Sequence, residues 1–209
     1  MKIDIPKALE VLAKRRPVFH LEADFRLELI LYLNEMYSEF HAISEYPIQR
    51  NSKEAYDIML LQNNKEVMAI ELKYFGENIN YEINGEIFNL KNRNAHNDNS
   101  YKSFENVKRM EGFLKKNPSA AASVIILTNN YRYWSGPQNK TADYAPFALT
   151  DGRAVSGHLD WVNKPKEKMS AIYLHGNYVL KWGEYSEIHS NNNYGRFRYL
   201  HIPIQLPEV

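Results

Sequence analysis

The stretch MAIELKYF, residues 68–75, begins as an apolar strand and then carries two charged side chains, Glu71 and Lys73. Side chains two positions apart on a strand point to the same face of the sheet. Val67 and Ala69 are expected on that face as well, so an apolar surface changes abruptly into an acid–base pair. A buried carboxylate or ammonium needs a partner. The pattern therefore predicts a functional group at the edge of the core.

The sequence around this stretch predicts an α/β core. Helices are expected over 7–15, 21–37 and 101–116, and strands over 41–49, 54–62, 66–75 and 123–128. Asn63-Asn64 predicts a tight hairpin turn, Asn84-Gly85 predicts a smaller hairpin within 78–90, and the polar run 91–100 predicts a loop. Short β-like pieces follow, among them YAPFALT (144–150). The prediction is one domain over 1–209, with the core in 18–130 and a β-rich part in 131–209.

Three carboxylates interrupt apolar patterns. Glu22 starts the stripe of the first long helix, which continues through Phe25, Leu29, Leu33 and Met36. Asp57 shares its strand face with apolar side chains, and Glu71 does the same on the next strand. Burial of an unpaired carboxylate costs on the order of several kcal/mol of folding free energy, so each of the three is expected to have a partner.

The hairpin register decides whether two of these acids meet. A three-residue loop over 63–65 places Asp57 directly opposite Glu71, with Cβ atoms about 5 Å apart. A two-residue loop places Asp57 opposite Ile70 instead, unless a β-bulge restores the register. Facing carboxylates would raise one pKa, and a divalent cation such as Mg²⁺ removes that conflict. The sequence leaves both registers open.

The segments YDIMLL and MAIELKY resemble the PD-(D/E)XK nuclease superfamily. That pattern has an acid on one strand and, after a hairpin, an acid–any–Lys triplet on the next; Asp57, Glu71 and Lys73 match it. The proline often found before the first acid is replaced by Tyr56. Glu22 matches a further glutamate that many members carry on the first core helix. The match extends over about 18–130 and implies a restriction-endonuclease-like fold, αβββαβ, with a mixed central sheet flanked by helices and a β-rich C-terminal extension.

The resemblance also implies a chemistry, which is metal-assisted hydrolysis of phosphodiester bonds. Asp57, Glu71 and the Leu72 carbonyl would bind Mg²⁺, for which Mn²⁺ can substitute, and Glu22 would complete the site. Lys73 would hold or help to deprotonate the attacking water and offset charge on the phosphate.

Other residues are candidates for substrate binding. Lys102, Arg109 and Lys116 lie seven apart on one helix face and could follow a phosphate backbone, although a solvated face explains them equally simply. Tyr131 and Trp134 follow the buried strand and could stack on bases or close over the core edge.

The polar run after the second hairpin holds four further charged or titratable side chains. They could border the cleft or belong to a surface loop: Lys91, Arg93, His96 and Asp98.

Composition excludes several classes of protein. The net charge of +1 requires any nucleic-acid binding to come from a local patch, and the lack of cysteine excludes disulfides and thiolate chemistry. Neither a signal peptide nor a membrane span is evident, so cytoplasmic localisation is expected.

The leading hypothesis is a Mg²⁺-dependent nuclease acting on DNA, with RNA a further possible substrate and a homodimer a possible state. The alternatives are an inactive nuclease-fold module that binds nucleic acid or a protein, and a glycan-acting β protein suggested by aromatic side chains and paired carboxylates.

Overall fold

The computed structural model describes residues 3–92, 95–137, 139, 141–163, 169–189 and 193–207. Its helices are α1 (Ile5–Arg15), α2 (Glu22–Met36), α3 (His96–Lys116) and the single-turn α4 (Arg132–Ser135), with a 3₁₀ turn at Ala145–Phe147. Its strands are β1 (His41–Pro47), β2 (Ala55–Gln62), β3 (Lys65–Phe75), β4 (Ile79–Ile83), β5 (Glu86–Leu90), β6 (Ala121–Thr128), β7 (Ala154–Leu159), β8 (Ile172–Val179), β9 (Trp182–Glu187) and β10 (Arg196–Pro203).

Six strands form the central sheet, in the order β1-β2-β3-β6-β10-β9. The β3–β6 pair is parallel and the other pairs are antiparallel, so the sheet is mixed. One face packs against α1, α2 and the β4–β5 hairpin, and the other packs against α3 and the β7–β8 hairpin. Covering on both faces explains why β6 is continuously apolar. The predicted mixed α/β core with a β-rich C-terminal region is confirmed.

The helices largely follow their apolar periodicity. Phe25, Leu29 and Leu33 of α2 are fully buried, as predicted, but Met36 is 52% exposed because the helix ends there, beyond the edge of the sheet contact. Helix α3 begins at His96, so the prediction of a loop throughout 91–100 was wrong. The buried positions Ser100 and Tyr101 extend its core-facing stripe toward the N-terminus.

The β2–β3 hairpin combines a two-residue turn with a bulge. Asn63 and Asn64 both have positive φ (49° and 60°), as a primed hairpin turn requires. Leu60 pairs with Met68 but the next pair is Leu61 with Glu66, so the residue between them on β3 is the extra one.

That extra residue is Val67, and it corrects one prediction. Val67 packs against the face that carries α2, whereas Ala69 is buried on the face that carries α3. The two side chains were expected on one face; the bulge separates them. Ile58 and Ile70 form the last pair of this ladder, and Asp57 and Glu71 are the next residues along the two strands.

The C-terminal half contributes strands to the central sheet as well as covering it. β10 pairs with β6, and β9 pairs with β10. The stretch 144–150, expected to be β-like, forms the 3₁₀ turn instead, and Arg153 donates to the carbonyls of Ala145 and Ala148 there.

Among the described residues, the helices lack the combination of length and apolar character that crossing a membrane requires.

Candidate active site and adjoining cavity

Asp57 lies near the start of β2, where backbone pairing with β3 has ended. Its Oδ2 accepts the backbone N–H of Leu72 at 2.8 Å, and its Oδ1 accepts Nη1 of Arg26 at 3.0 Å. Arg26 of α2 also bonds Glu45 at 2.8 Å. In a strand the N–H and C=O of a residue point to the same edge. The Leu72 carbonyl therefore lies on the edge that Asp57 occupies.

Glu71 is the most deeply buried carboxylate of the group, with 1% exposure. Its Oε2 accepts a hydrogen bond from Nη2 of Arg109 on α3, while Oε1 is buried without a partner among the described residues. Burial raises the pKa of Glu71 to about 8; the charge of Asp57 acts in the same direction, and Arg109 and Lys73 oppose it. Glu71 thus carries a free acceptor atom at the end of a core strand.

Glu22 and Lys73 form a separate ion pair beside these acids. Nζ of Lys73 lies 3.3 Å from Oε1 of Glu22, and Oε2 of Glu22 accepts the backbone N–H of Tyr74 at 3.0 Å. Glu22 stands in the first turn of α2, where no side chain caps the helix. The pair fixes the Lys73 ammonium at the boundary between the sheet and solvent.

The structure therefore places Asp57 on β2 and Glu71 and Lys73 on the adjoining β3, with Glu22 paired to Lys73. In the described part of the chain, no set of three His, Cys, Asp or Glu side chains is gathered closely enough to form a metal cluster. Guanidinium groups occupy one oxygen of Asp57 and one of Glu71 instead.

A cavity of about 640 Å³ opens beside the Glu22–Lys73 pair. Its rim carries Lys91 and Lys102, with Arg132 of α4 across from the start of α3. None of these three forms an ion pair with a carboxylate of the described residues. The cavity lining therefore carries three cationic side chains without a carboxylate ion pair among the described residues.

The floor of the cavity is polar and buried. Glu77 is 5% exposed, and its Oε1 accepts Nδ2 of Asn130 at 2.6 Å while its backbone N–H bonds Oδ1 of Asn129. Burial raises the pKa of the Glu77 carboxyl, against the pull of the Arg132 charge. These contacts hold the β3 end against the β6 end.

An aromatic wall closes one side of the cavity. The rings of Phe75 and Tyr133 stack with centroids 4.9 Å apart, and His96 lies 4.3 Å from Tyr133. Burial lowers the pKa of His96 to about 4, with a smaller contribution from the charge of Arg132. The imidazole is therefore neutral at neutral pH, and its Nδ1 is buried without a partner among the described residues.

A smaller recess of about 390 Å³ lies on the Asp57 side, lined by Arg26, Glu45 and Lys53 among others. Asp57 lines this recess and Glu22 lines the larger cavity, whereas the buried Glu71 lines neither.

The remaining predicted substrate-binding residues are dispersed. Lys102 lines the cavity and Arg109 binds Glu71, whereas Tyr131 is 44% exposed and stacks on Tyr194. Trp134 packs on Trp182 and under the guanidinium of Arg198, all within the protein.

Of the four side chains predicted to border a cleft, Lys91 and His96 line the cavity. Asp98 belongs to the first turn of α3, and Arg93 lies outside the described residues.

Sequence reasoning missed Arg26, Glu77, Asn130 and Arg132. Arg26 follows Glu22 by one helical turn, so its position on the same helix edge was a usable signal. The others come together through contacts between the ends of β3 and β6, which spacing along the chain does not encode.

A family model described as the type I restriction enzyme R protein N terminus matches residues 15–144, more than half of the chain. The match includes α2, the β1–β3 strands, α3, β6 and every candidate residue named for catalysis. Searches of curated proteins and of solved structures returned no match.

Proposed function

Because the chain belongs to the type I restriction enzyme R protein N-terminus family, a nuclease-related restriction family, we propose that it is a PD-(D/E)XK-type nuclease. It would hydrolyse phosphodiester bonds of DNA with the help of Mg²⁺, in a restriction or defence context. The observation that carries the proposal is the pairing of Ile58 with Ile70 beyond a two-residue turn and a bulge, after which Asp57 and the buried Glu71 are the next residues on the two strands.

The donor set fits a hard divalent cation. Asp57, Glu71 and the Leu72 carbonyl supply oxygen ligands of the kind that Mg²⁺ prefers. The Oε1 atom of Glu71 is buried without a partner among the described residues, so it can accept a contact from a cation. Bound Mg²⁺ would stabilise charge on the phosphate oxygens and make a nearby water more acidic. Mn²⁺ is expected to substitute because it accepts the same oxygen ligands.

Lys73 has the role of holding the attacking water or a phosphate oxygen. Its ammonium is partly buried and its direction is fixed by the 3.3 Å contact with Glu22. Glu22 thereby acts on the reaction by positioning Lys73, in addition to any water-mediated contact with the cation. Lysine suits this place because its charge is compact and its donors can be redirected.

Arg26 and Arg109 each place a guanidinium on one of the two carboxylates. Each guanidinium donates one hydrogen bond to its carboxylate. Both side chains also reach the surface, because that of Arg26 is 16% exposed and that of Arg109 is 33% exposed. A cation that displaced them would leave both guanidiniums beside the substrate phosphates, where they would contribute bidentate contacts.

The same arginines favour a second candidate function. Asp57 and Glu71 each have an arginine partner, an arrangement that would also suit a nuclease-fold module that has lost turnover and binds nucleic acid or a protein partner. The two candidates differ in whether divalent cations displace the arginines.

Cleavage assays separate the candidates. Wild-type protein should cleave DNA with Mg²⁺ or Mn²⁺ and not with EDTA. Glu71→Gln should reduce the rate about 100-fold or more, since a lost charge-stabilising ligand is worth several kcal/mol. Glu39→Gln, the same change at an exposed turn, should not. Absence of metal-dependent cleavage across duplex DNA, single-stranded DNA and RNA would favour the binding module.

A further inference from the structure

The 640 Å³ cavity shares Glu22 and Lys73 with the proposed active site and extends from there toward α4. Its volume lies within the range of about 300–1,000 Å³ that small-molecule sites occupy. A space of this size holds one or two nucleotides. A paired duplex keeps its bases stacked inside, so a base can enter such a cavity only after leaving its partner.

The charge of the cavity selects an anion. Four cationic side chains line it, Lys73, Lys91, Lys102 and Arg132, against the two carboxylates of Glu22 and Glu77. Glu22 is neutralised by Lys73, and burial raises the pKa of the Glu77 carboxyl. Three cations on the rim are therefore left to bind phosphate oxygens.

The interior of the cavity suits a base. Phe75 and Tyr133 form a stacked aromatic wall that the neutral His96 ring extends. Stacking on aromatic side chains tolerates every base, because each has a π-face. Amide side chains also line the space, Asn89, Asn92, Asn99 and Asn130.

We propose that this cavity holds an unpaired nucleotide of the DNA strand next to the phosphate at Lys73, so that the protein acts on single-stranded or locally opened DNA. The rim cations bind the phosphates on that side of the cleavage position, and the aromatic wall stacks the base. This rests on the proposed nuclease function, because the strand enters the cavity through the Lys73 side.

Binding measured without metal tests the cavity separately from catalysis. The probe is a fluorescein-labelled dT12 strand in EDTA, compared by anisotropy with a 12-base-pair duplex and in competition with dTMP. Wild-type protein should bind the strand about tenfold more tightly than the duplex. Lys102→Gln/Arg132→Gln should weaken strand binding about tenfold at low salt and reduce the salt slope by about 0.7 per lost phosphate contact.

The control removes the same amount of charge away from the cavity. Lys65→Gln/Lys181→Gln changes two exposed side chains that line neither the cavity nor the candidate active site, and it should alter strand affinity less than about twofold. Melting temperatures check that both double variants fold, and Lys91→Gln provides a second cavity variant if the first does not.

Three results of the binding assay would overturn the proposal: duplex binding as tight as strand binding, equal losses in cavity and control variants, or displacement of the strand by dTMP at equal concentration, which would indicate a free-nucleotide pocket. Metal-dependent cleavage of duplex DNA alone would sink this inference and leave the nuclease standing. If the protein preferred the single strand but cleaved no substrate, nucleotide binding in the cavity would be supported and the proposed nuclease activity would be rejected.

Discussion

Two buried glutamates, Glu71 on β3 and Glu111 on α3, have the same exposure of 1% and different surroundings. The Glu111 carboxylate accepts the backbone N–H groups of His175 and Gly176 at 2.8–3.0 Å and the hydroxyl of Tyr178 at 2.7 Å. Both of its oxygens are therefore satisfied by donors that belong to the β7–β8 hairpin and its backbone.

Glu71 has a single donor, Arg109, and one buried oxygen without a partner in the described chain. A backbone N–H is fixed by the fold, whereas an arginine side chain that reaches solvent can move away when another cation takes its place. The two acids therefore differ in their partners: those of Glu111 are fixed by the fold, and the role proposed for Glu71 requires that Arg109 be replaceable.

The largest expected effect is the loss of stability when the Glu111 carboxylate is removed. Glu111→Ala leaves two backbone N–H groups and the Tyr178 hydroxyl without their acceptor, and each such group costs about 1–3 kcal/mol. The free energy of unfolding, measured by urea denaturation, should fall by about 3–5 kcal/mol. A loss below about 1 kcal/mol would mean that these contacts are not the anchor of the β7–β8 hairpin.

The next effect concerns the pH dependence of Glu71 in metal-free protein. Its folded pKa of about 8 lies above the ordinary value of 4.5, so the folded state binds more protons than the unfolded state between these values. The unfolding free energy of the wild type should therefore fall as pH rises from 5 to 9. Relative to Glu71→Gln, which resembles the protonated acid, the loss should be about 4 kcal/mol.

If the unfolding free energies of wild type and Glu71→Gln changed in parallel with pH in EDTA, the raised pKa of Glu71 would be contradicted. At pH 5, where wild-type Glu71 is protonated, the two unfolding free energies should agree within about 1 kcal/mol.

The smallest of the stability effects involves His96 and has the opposite sign. Burial disfavours the charged form of either group, so it raises the pKa of an acid and lowers that of histidine. With a folded pKa of about 4 against 6.5, the unfolded state binds more protons in that interval. As pH falls from 7 to 4.5, the wild type should lose about 2 kcal/mol of unfolding free energy relative to His96→Gln. Identical slopes for the two proteins would place His96 in contact with solvent.

Local patterns predicted the parts of the fold that depend on neighbours in sequence. The apolar stripe of α2, the Asn63-Asn64 turn and the hairpin strands all follow from period and turn chemistry, and the structure has them. The bulge at Val67 was left open because a one-residue insertion changes little in the hydrophobic pattern.

The sequence pattern could not predict which side chains on other elements contact the candidate acids. Asp57, Glu71 and Lys73 could be chosen as the acid–acid–lysine set, but Arg26 and Arg109 reach them from helices on opposite faces. The entry of β9 and β10 into the central sheet likewise depends on pairing between distant segments. Such contacts are decided by packing in three dimensions.

The replaceability of Arg109 at Glu71 is the central claim, and Mn²⁺ binding measured by isothermal titration calorimetry at pH 8 tests it most directly. Wild-type protein should bind Mn²⁺ with release of protons, since the Glu71 carboxyl must ionise. Glu71→Gln should bind it about 100-fold more weakly, and Glu39→Gln should match the wild type. Equal Mn²⁺ affinity in wild type and Glu71→Gln would contradict the account.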